Sequence, residues 1–145
     1  RVVHGRFGAV LSSTGGILKK MAPVFRLGLG GRLGSGQEWM SWISLEDLVR
    51  AIEFLLKRAD LSGTFNFTSP NPVRNATFTQ ALAARLHRPA FFPVPAFILK
   101  LIFGDMAKEL FLASTRVIPK RLTESGFEFS HPAIETALKD CFIQV

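Results

Sequence analysis

Apolar residues recur along this chain with two spacings, every second position in short stretches and every third or fourth position between them. Residues 2–11 mix β-branched and aromatic side chains with glycines and predict a buried strand. A Ser-Ser-Thr-Gly-Gly loop follows at 12–16, then a short helical turn over 17–21 that Pro23 interrupts. Residues 25–36 hold five glycines in twelve positions and predict a loop or an edge region. Residues 38–43 predict the next strand. Its alternation puts Trp39, Ser41 and Ile43 on one face and Met40 and Trp42 on the other.

The helix that follows is the most fully specified element. Ser44 stands in the capping position with Asp47 three residues on, and Glu46 and Asp47 both lie near the positive end of the helix dipole. Leu45, Leu48, Val49, Ile52 and Leu56 form an apolar stripe, which predicts the buried face. Ser62-Gly63 ends this unit, and residues 64–68 alternate as a strand does. After a proline turn at 69–74, Asn75 is the expected cap of a helix reaching Leu86, with Phe78, Leu82 and Leu86 on one face. Residues 88–95 predict an extended, proline-punctuated piece, and 96–103 an apolar buried helix continued over 107–113. Eight residues including Lys100 fall far short of the roughly 20 needed to cross a bilayer. Pro119 opens a helix that Gly126 closes, and residues 127–129 are a short extended piece. A last helix, capped by Ser130 or His131, carries Ile134, Ala137, Leu138, Cys141 and Phe142 on one face. Strand–helix alternation followed by helix-rich sequence predicts an α/β unit over 1–68 and a helical extension over 69–145.

Composition changes this picture little. The chain has 145 residues, 48% of them hydrophobic and 20% charged, as suits one packed domain or part of one. A single cysteine excludes an internal disulfide framework and points to a reducing, cytoplasmic setting. Arg1 opens directly into a strand-like run without an initiator Met or an apolar signal region, which reads as a fragment or a processed chain.

Charge changes it more. The net charge is +7, and residues 1–37 carry six basic side chains and no acid. Such a field suits an anion-bearing small ligand, a nucleic-acid surface, or simply a basic solvated face. No Lys/Arg–aromatic interleaving of the kind found on RNA-binding sheets is present, so nucleic acid is not the expected partner.

The glycines do not form a dinucleotide fingerprint. Counting from Gly28, the third glycine position is Leu33, and from Gly34 it is Trp39. A strand also follows the cluster where that motif requires a helix N-terminus. His4, His87 and His131 are widely separated and Cys141 has no partner at ligand spacing, so no metal site is expected, and each histidine suits a surface or capping role. Trp39 and Trp42, three residues apart beside a Gly-Ser-Gly loop, suit either the wall of a small-molecule pocket or the core. Asp47 is expected to cap its helix rather than act chemically.

Four stretches resemble the C-terminal half of an extended, atypical short-chain dehydrogenase/reductase of the epimerase-like branch. They are Arg6-Phe7-Gly8-Ala9-Val10-Leu11-Ser12; the loop, strand and helix over 27–48; Gly63-Thr64-Phe65-Asn66-Phe67, like the family's Gly-x-Tyr-Asn-Ile strand; and Pro119 through Phe127. The resemblance implies a Rossmann-like fold with a helix-rich substrate-binding extension. It also implies NAD or NADP as the cofactor of the full-length protein, with none bound by this portion alone.

Family members use a Ser/Thr, a Tyr and a Lys for proton and hydride chemistry. This chain has no tyrosine, so no catalytic residue is expected in it. Carried over by position, Ser12, Ser13, Thr14, Gly15 and Gly16 would pass the nicotinamide end of the cofactor. Gly34, Ser35, Gly36, Gln37, Trp39, Met40 and Trp42, with Arg32, would form the substrate wall. Two departures bear on the substrate. Ala9 and Ser12 stand where sugar-nucleotide members carry Asn and Gly, and Met40 where many carry a diphosphate-gripping arginine, a role open here to Arg26 or Arg32. The resulting expectation is the substrate-binding portion of an NAD(P)-dependent epimerase/dehydratase-like protein taking an anionic small molecule. The alternative is a non-catalytic binding or interaction domain, pairing with a missing Rossmann half or with a second copy through an exposed sheet edge.

Overall fold

The computed structural model describes residues 1–32, 35–91, 93–105 and 114–142. The predicted helix over 107–113 lies outside them. Val3–Phe7 (β1) pairs in parallel with Gly63–Phe67 (β5), Phe7 opposite Phe67. The chain then changes partner at Gly8. The Gly8 N–H donates to the Phe67 carbonyl (3.1 Å), whereas the Ala9 N–H donates to that of Ser41 (2.8 Å). Ala9–Leu11 (β2) thereafter runs parallel to Trp42–Ser44 (β4). A Cβ at position 8 would sit 2.8 Å from the Ser41 carbonyl oxygen, so only glycine lets the strand cross there.

The single strand expected over 2–11 is therefore two. β1 is exposed along most of its length, because among the described residues β5 is its one strand neighbour. The strand expected over 38–43 is divided in the same way. Trp39–Met40 (β3) pairs antiparallel with Val73–Arg74 (β6), and Ser41 breaks the run before β4. The predicted alternation survives the break, since Met40 and Trp42 enter one apolar cluster and Ile43 enters another.

Gly16–Arg26 (α1) runs straight through Pro23 rather than stopping there. Proline inside a helix costs about 3 kcal/mol. Burial of Ile17, Leu18, Met21, Ala22 and Phe25 along one side offsets that cost, and Pro23 itself faces solvent.

Leu45–Leu56 (α2) is capped as expected, the Ser44 hydroxyl accepting from the Asp47 N–H at 3.1 Å. Its orientation is not as expected. Ala51, Leu55 and Asp47 face inward, while Leu45, Val49, Ile52 and Leu56 of the predicted buried stripe are exposed. The buried side is set by Asp47, whose carboxylate accepts the Ser130 and His131 N–H groups (2.8 Å each) and bonds Arg50 (3.0 Å).

Asn75–Leu86 (α3) buries Phe78, Leu82 and Leu86 as its spacing predicts, but Arg74 occupies the cap position and Asn75 is the first helical residue. Ala96–Phe103 (α4), Lys120–Glu124 (α5) and Ile134–Cys141 (α6) complete the described helices. Among the described residues no helix is long and apolar enough to cross a membrane.

Two apolar clusters hold these elements together. One joins α1, α3 and α6 around Trp42 and Leu11; the other joins β5, α2 and α5 around Phe65 and Ile43. Each draws side chains from both sides of residue 68. The result is a mixed α/β fold with short parallel pairings.

Candidate functional site

The change of partner at Gly8 opens a cleft. Parallel strands part where their ladders diverge, and the crevice at their carboxyl ends is where open α/β sheets accept ligands. Here Arg6, Phe7, Gly8 and Ala9 form one side, with Asn66 and Thr68 from the end of β5 and Trp39, Met40 and Ser41 from the β3–β4 break. The cleft measures about 610 Å³, within the range of small-molecule sites.

Its far wall is the segment 115–118, fastened by three polar side chains. The Ser41 hydroxyl donates to the Thr115 carbonyl and accepts from the Val117 N–H, both at 2.9 Å. Asn66 donates to the Ile118 carbonyl (3.3 Å) and Thr68 to that of Val117 (3.4 Å). Backbone bonds between Thr115 and Trp39 (3.0 Å) and from the Trp39 N–H to the Ser114 hydroxyl (3.0 Å) continue the seam. Arg116 is thereby held with its guanidinium carbon 4.9 Å from the centre of the Trp39 ring, and Arg74 lies at 5.0 Å. Arg6, Arg116 and Lys120 all line the cleft, and among the described residues no carboxylate lines it. A partly apolar, cationic cleft of this kind accepts an anion attached to a flat or apolar body.

The residues expected from sequence are distributed unevenly. Trp39 and Met40 line the cleft. Trp42 does not: it is fully buried, and its indole N–H donates to the Asn71 carbonyl at 2.9 Å, so the core reading holds for this ring. Ser35 and Gln37 form a turn beside the site, Ser35 bonding Glu38 (2.8 Å) and Gln37 bonding Arg74, which stacks on Trp39. Burial opposes ionisation of Glu38, but backbone N–H groups of residues 35, 36 and 38 and the Ser35 hydroxyl outweigh it and lower its pKa. Gly36 is buried with φ +79° and accepts from the Ala76 N–H (2.9 Å). Arg32 is exposed, its carbonyl accepting from Val94 (2.8 Å), and Gly34 lies outside the described residues. Neither Arg26 nor Arg32 lines the cleft.

The Ser12–Gly16 loop is also elsewhere. Ser12 bridges to Gly15 and its hydroxyl lies 3.0 Å from that of Thr14, closing a tight turn that leads into α1. Ser12 and Ser13 border a separate depression of about 120 Å³ near His131 and Asp140. The carboxylates of Glu46 and Asp140 border that depression too. Sequence reasoning missed Arg6, Arg116 and Lys120 as cleft cations and Ser41, Asn66 and Thr68 as its fastenings. The available signal was Arg116-Val117-Ile118-Pro119-Lys120, a basic stretch with a proline stop.

Comparison with known proteins agrees with this architecture. Residues 94–141 match a domain of unknown function, DUF1731. An epimerase family protein of Mycobacterium bovis is 48% identical over 138 residues, covering 95% of this chain and 46% of the relative. A human epimerase family protein whose structure was solved with NADPH superposes with a TM-score of 0.92 at 36% identity, over 100% of this chain and 49% of that one.

The chain matches the C-terminal part of epimerase-family proteins.

A nucleoside-diphosphate sugar epimerase from Corynebacterium glutamicum is similar too, with a TM-score of 0.74 and 32% identity over 96% of this chain and 25% of that one. The chain corresponds to the C-terminal part of an atypical short-chain dehydrogenase/reductase. It spans about half the length of the curated relatives it matches. The region matching the domain family, 94–141, supplies the cleft wall carrying Arg116 and Lys120.

Proposed function

We propose that this chain is the substrate-facing part of an NAD(P)-dependent epimerase/dehydratase-like oxidoreductase, and that the cleft at Gly8 receives an anionic small molecule. The observation carrying this reading is the set of three cations, Arg6, Arg116 and Lys120, lining the cleft with Trp39 and, among the described residues, no acid. A phosphate or carboxylate would lie between the cations while the indole covers an apolar or planar portion. Arg116 supplies the charge that Met40 lacks at the position where sugar-nucleotide relatives carry arginine.

NAD or NADP, when bound, supplies the hydride acceptor and donor. The Arg6–Ala9 side suits such a group, because the Arg6 cation and the side-chain-free Gly8 line the cleft there. The chain's own residues bind and orient. With no tyrosine in the sequence, the proton-transferring tyrosine of this family has to come from elsewhere in the parent protein, and turnover by this chain alone is not expected.

The cofactor-binding Rossmann half of such a protein would cover the free edge of β1 and the apolar side of α2. Val2, Phe7, Val49, Ile52 and Leu56 are exposed there, and a shallow apolar groove of about 250 Å³ runs between Phe7 and Leu56. Association with a second copy of this chain is the competing outcome.

The test is titration of the intact protein with NADPH and, separately, with a nucleoside diphosphate, following tryptophan emission. Binding of both, with the diphosphate weakened by salt and by Arg116→Ala, is expected. Absence of nucleotide binding, or diphosphate binding indifferent to Arg116, would overturn the reading.

A further inference from the structure

Away from the cleft, three side chains distant in sequence meet at the small depression beside the Ser12–Gly16 loop. Glu46 comes from the first turn of α2, His131 from the segment before α6, and Asp140 from the last turn of α6. The His131 Nε2 lies 3.4 Å from an Asp140 carboxylate oxygen and 3.8 Å from one of Glu46. All three potential ligand atoms fall within 4.8 Å of one another. Among the described residues this is the one group of three or more such side chains close enough to share an ion.

We propose that Glu46, His131 and Asp140 form a binding site for a divalent cation of the zinc class.

Three observations beyond proximity carry this. First, His131 is held in place before any ion arrives. Its backbone N–H donates to Asp47 Oδ2 at 2.8 Å, its ring is mostly buried, and its Nδ1 lies 3.0 Å from the Ser44 hydroxyl. In the tautomer with Nδ1–H donating to that hydroxyl, the Nε2 lone pair would face the two carboxylates and be open to a cation. Metal-bound histidines are commonly oriented by such a hydrogen bond at the nitrogen that does not hold the ion.

Second, the spacing fits. Zinc bonds of about 2.0–2.2 Å to nitrogen and oxygen place neighbouring tetrahedral ligands about 3.4 Å apart. The two histidine–carboxylate separations lie close to that, and the carboxylates, half-exposed at 52% and 53%, have the freedom to close the remainder.

Third, the depression of about 120 Å³ opens at these atoms and is bordered by Ser12, Ser13, Ser44 and Cys141. It leaves room for a water in a fourth position, as sites with three protein ligands require. The donor set of one imidazole and two carboxylates suits zinc, cobalt, nickel or manganese, whereas a calcium site is built from oxygens alone. Nothing in the cleft reading is needed for this site, because Glu46, His131 and Asp140 are all absent from the cleft lining.

The experiment is equilibrium dialysis of the chelator-treated intact protein against zinc, with metal content measured. Visible absorption after adding one equivalent of cobalt(II) reports the ligand geometry. One equivalent of zinc and a cobalt spectrum of low coordination number are expected. Glu46→Gln and Asp140→Asn, at half-exposed carboxylates and each checked for folding by circular dichroism, should weaken zinc by more than about tenfold, since losing even a group that only supports a ligand costs about 10- to 100-fold. His131→Gln, checked for folding by circular dichroism, should abolish the cobalt spectrum. Failure of the wild-type protein to take up stoichiometric zinc would overturn the proposal. Uptake unchanged in both carboxamide variants would do the same.

Discussion

Arg116 reaches the Trp39 ring from a segment 77 positions further along the chain, and that segment is fastened by the side chains of Ser41, Asn66, Thr68 and Ser114 and by one backbone bond from Thr115 to Trp39. The stacking itself is worth about 0.5–1 kcal/mol at an exposed site. The seam is what makes the pair persistent. An arginine so placed spends little rotamer entropy when an anion arrives, which is the advantage of a preorganised fork over a free surface cation.

Replacing that arginine therefore separates binding from stability. Arg116→Ala should weaken an anionic ligand roughly tenfold, about 1.4 kcal/mol, while the melting temperature stays within a degree or two. Calorimetric titration beside thermal denaturation reads both. A large loss of stability would mean that the guanidinium holds the wall up rather than serving the ligand.

Ser41 should behave in the opposite way. Its hydroxyl bonds both Thr115 and Val117 and is nearly inaccessible. Ser41→Ala removes the partner of the part-buried Thr115 carbonyl and Val117 N–H, at a cost of about 1 kcal/mol. The 115–118 segment should then exchange its amide protons faster than in the wild type. Unchanged exchange there would show that the wall is secured by other means.

Asp47 is the heaviest single polar commitment in the fold. It is fully buried and accepts from two backbone N–H groups and Arg50. Asp47→Ala should destabilise by roughly 3 kcal/mol and release residues 130–131, with denaturant unfolding as the measure. Asp47→Asn keeps one acceptor and should fall between the two.

The outward stripe of α2 gives a fourth expectation. Ile52→Glu or Leu56→Glu should alter the stability of this chain by no more than about 0.5 kcal/mol, because these side chains already face solvent. In the intact protein the same change should lower the melting temperature clearly if the stripe is covered there. Equal tolerance in both would leave the stripe a plain surface.

Acid should loosen one surface link in a defined window. The paired hydrogen bonds from Arg58 hold the Asp60 carboxyl at about 2, below the ordinary carboxylate range. A folded-state pKa below the unfolded one means the link contributes fully above about pH 4 and is lost as pH falls toward 2. Carbon-detected titration should place Asp60 near 2 in the wild type and return it toward the usual value in Arg58→Ala.

Much of this architecture was legible from spacing alone. The cap at Ser44, the buried face of α3, the Pro119–Gly126 helix and the opposed faces of Met40 and Ile43 all follow from local rules, and the structure has them. What local rules could not supply was the identity of each neighbour. Residues 2–11 read as one interior strand because glycine and β-branched residues say nothing of a mid-strand change of partner. The α2 stripe read as buried because periodicity identifies an apolar face without saying what lies against it. The cations of the cleft were missed for the same reason. Arg6 and Lys120 become neighbours only when β5 brings Asn66 to the wall segment, a relationship no window of sequence contains.

The two indoles, three residues apart, end in opposite surroundings, one sealed in the interior and one beside two arginines at the cleft. The protein thus carries two optical labels with separate duties. Blue-shifted emission from Trp42 follows the integrity of the core, whereas the longer-wavelength component from Trp39 senses whatever enters beside it. A single spectrum, resolved by colour, distinguishes occupancy from unfolding without any added dye.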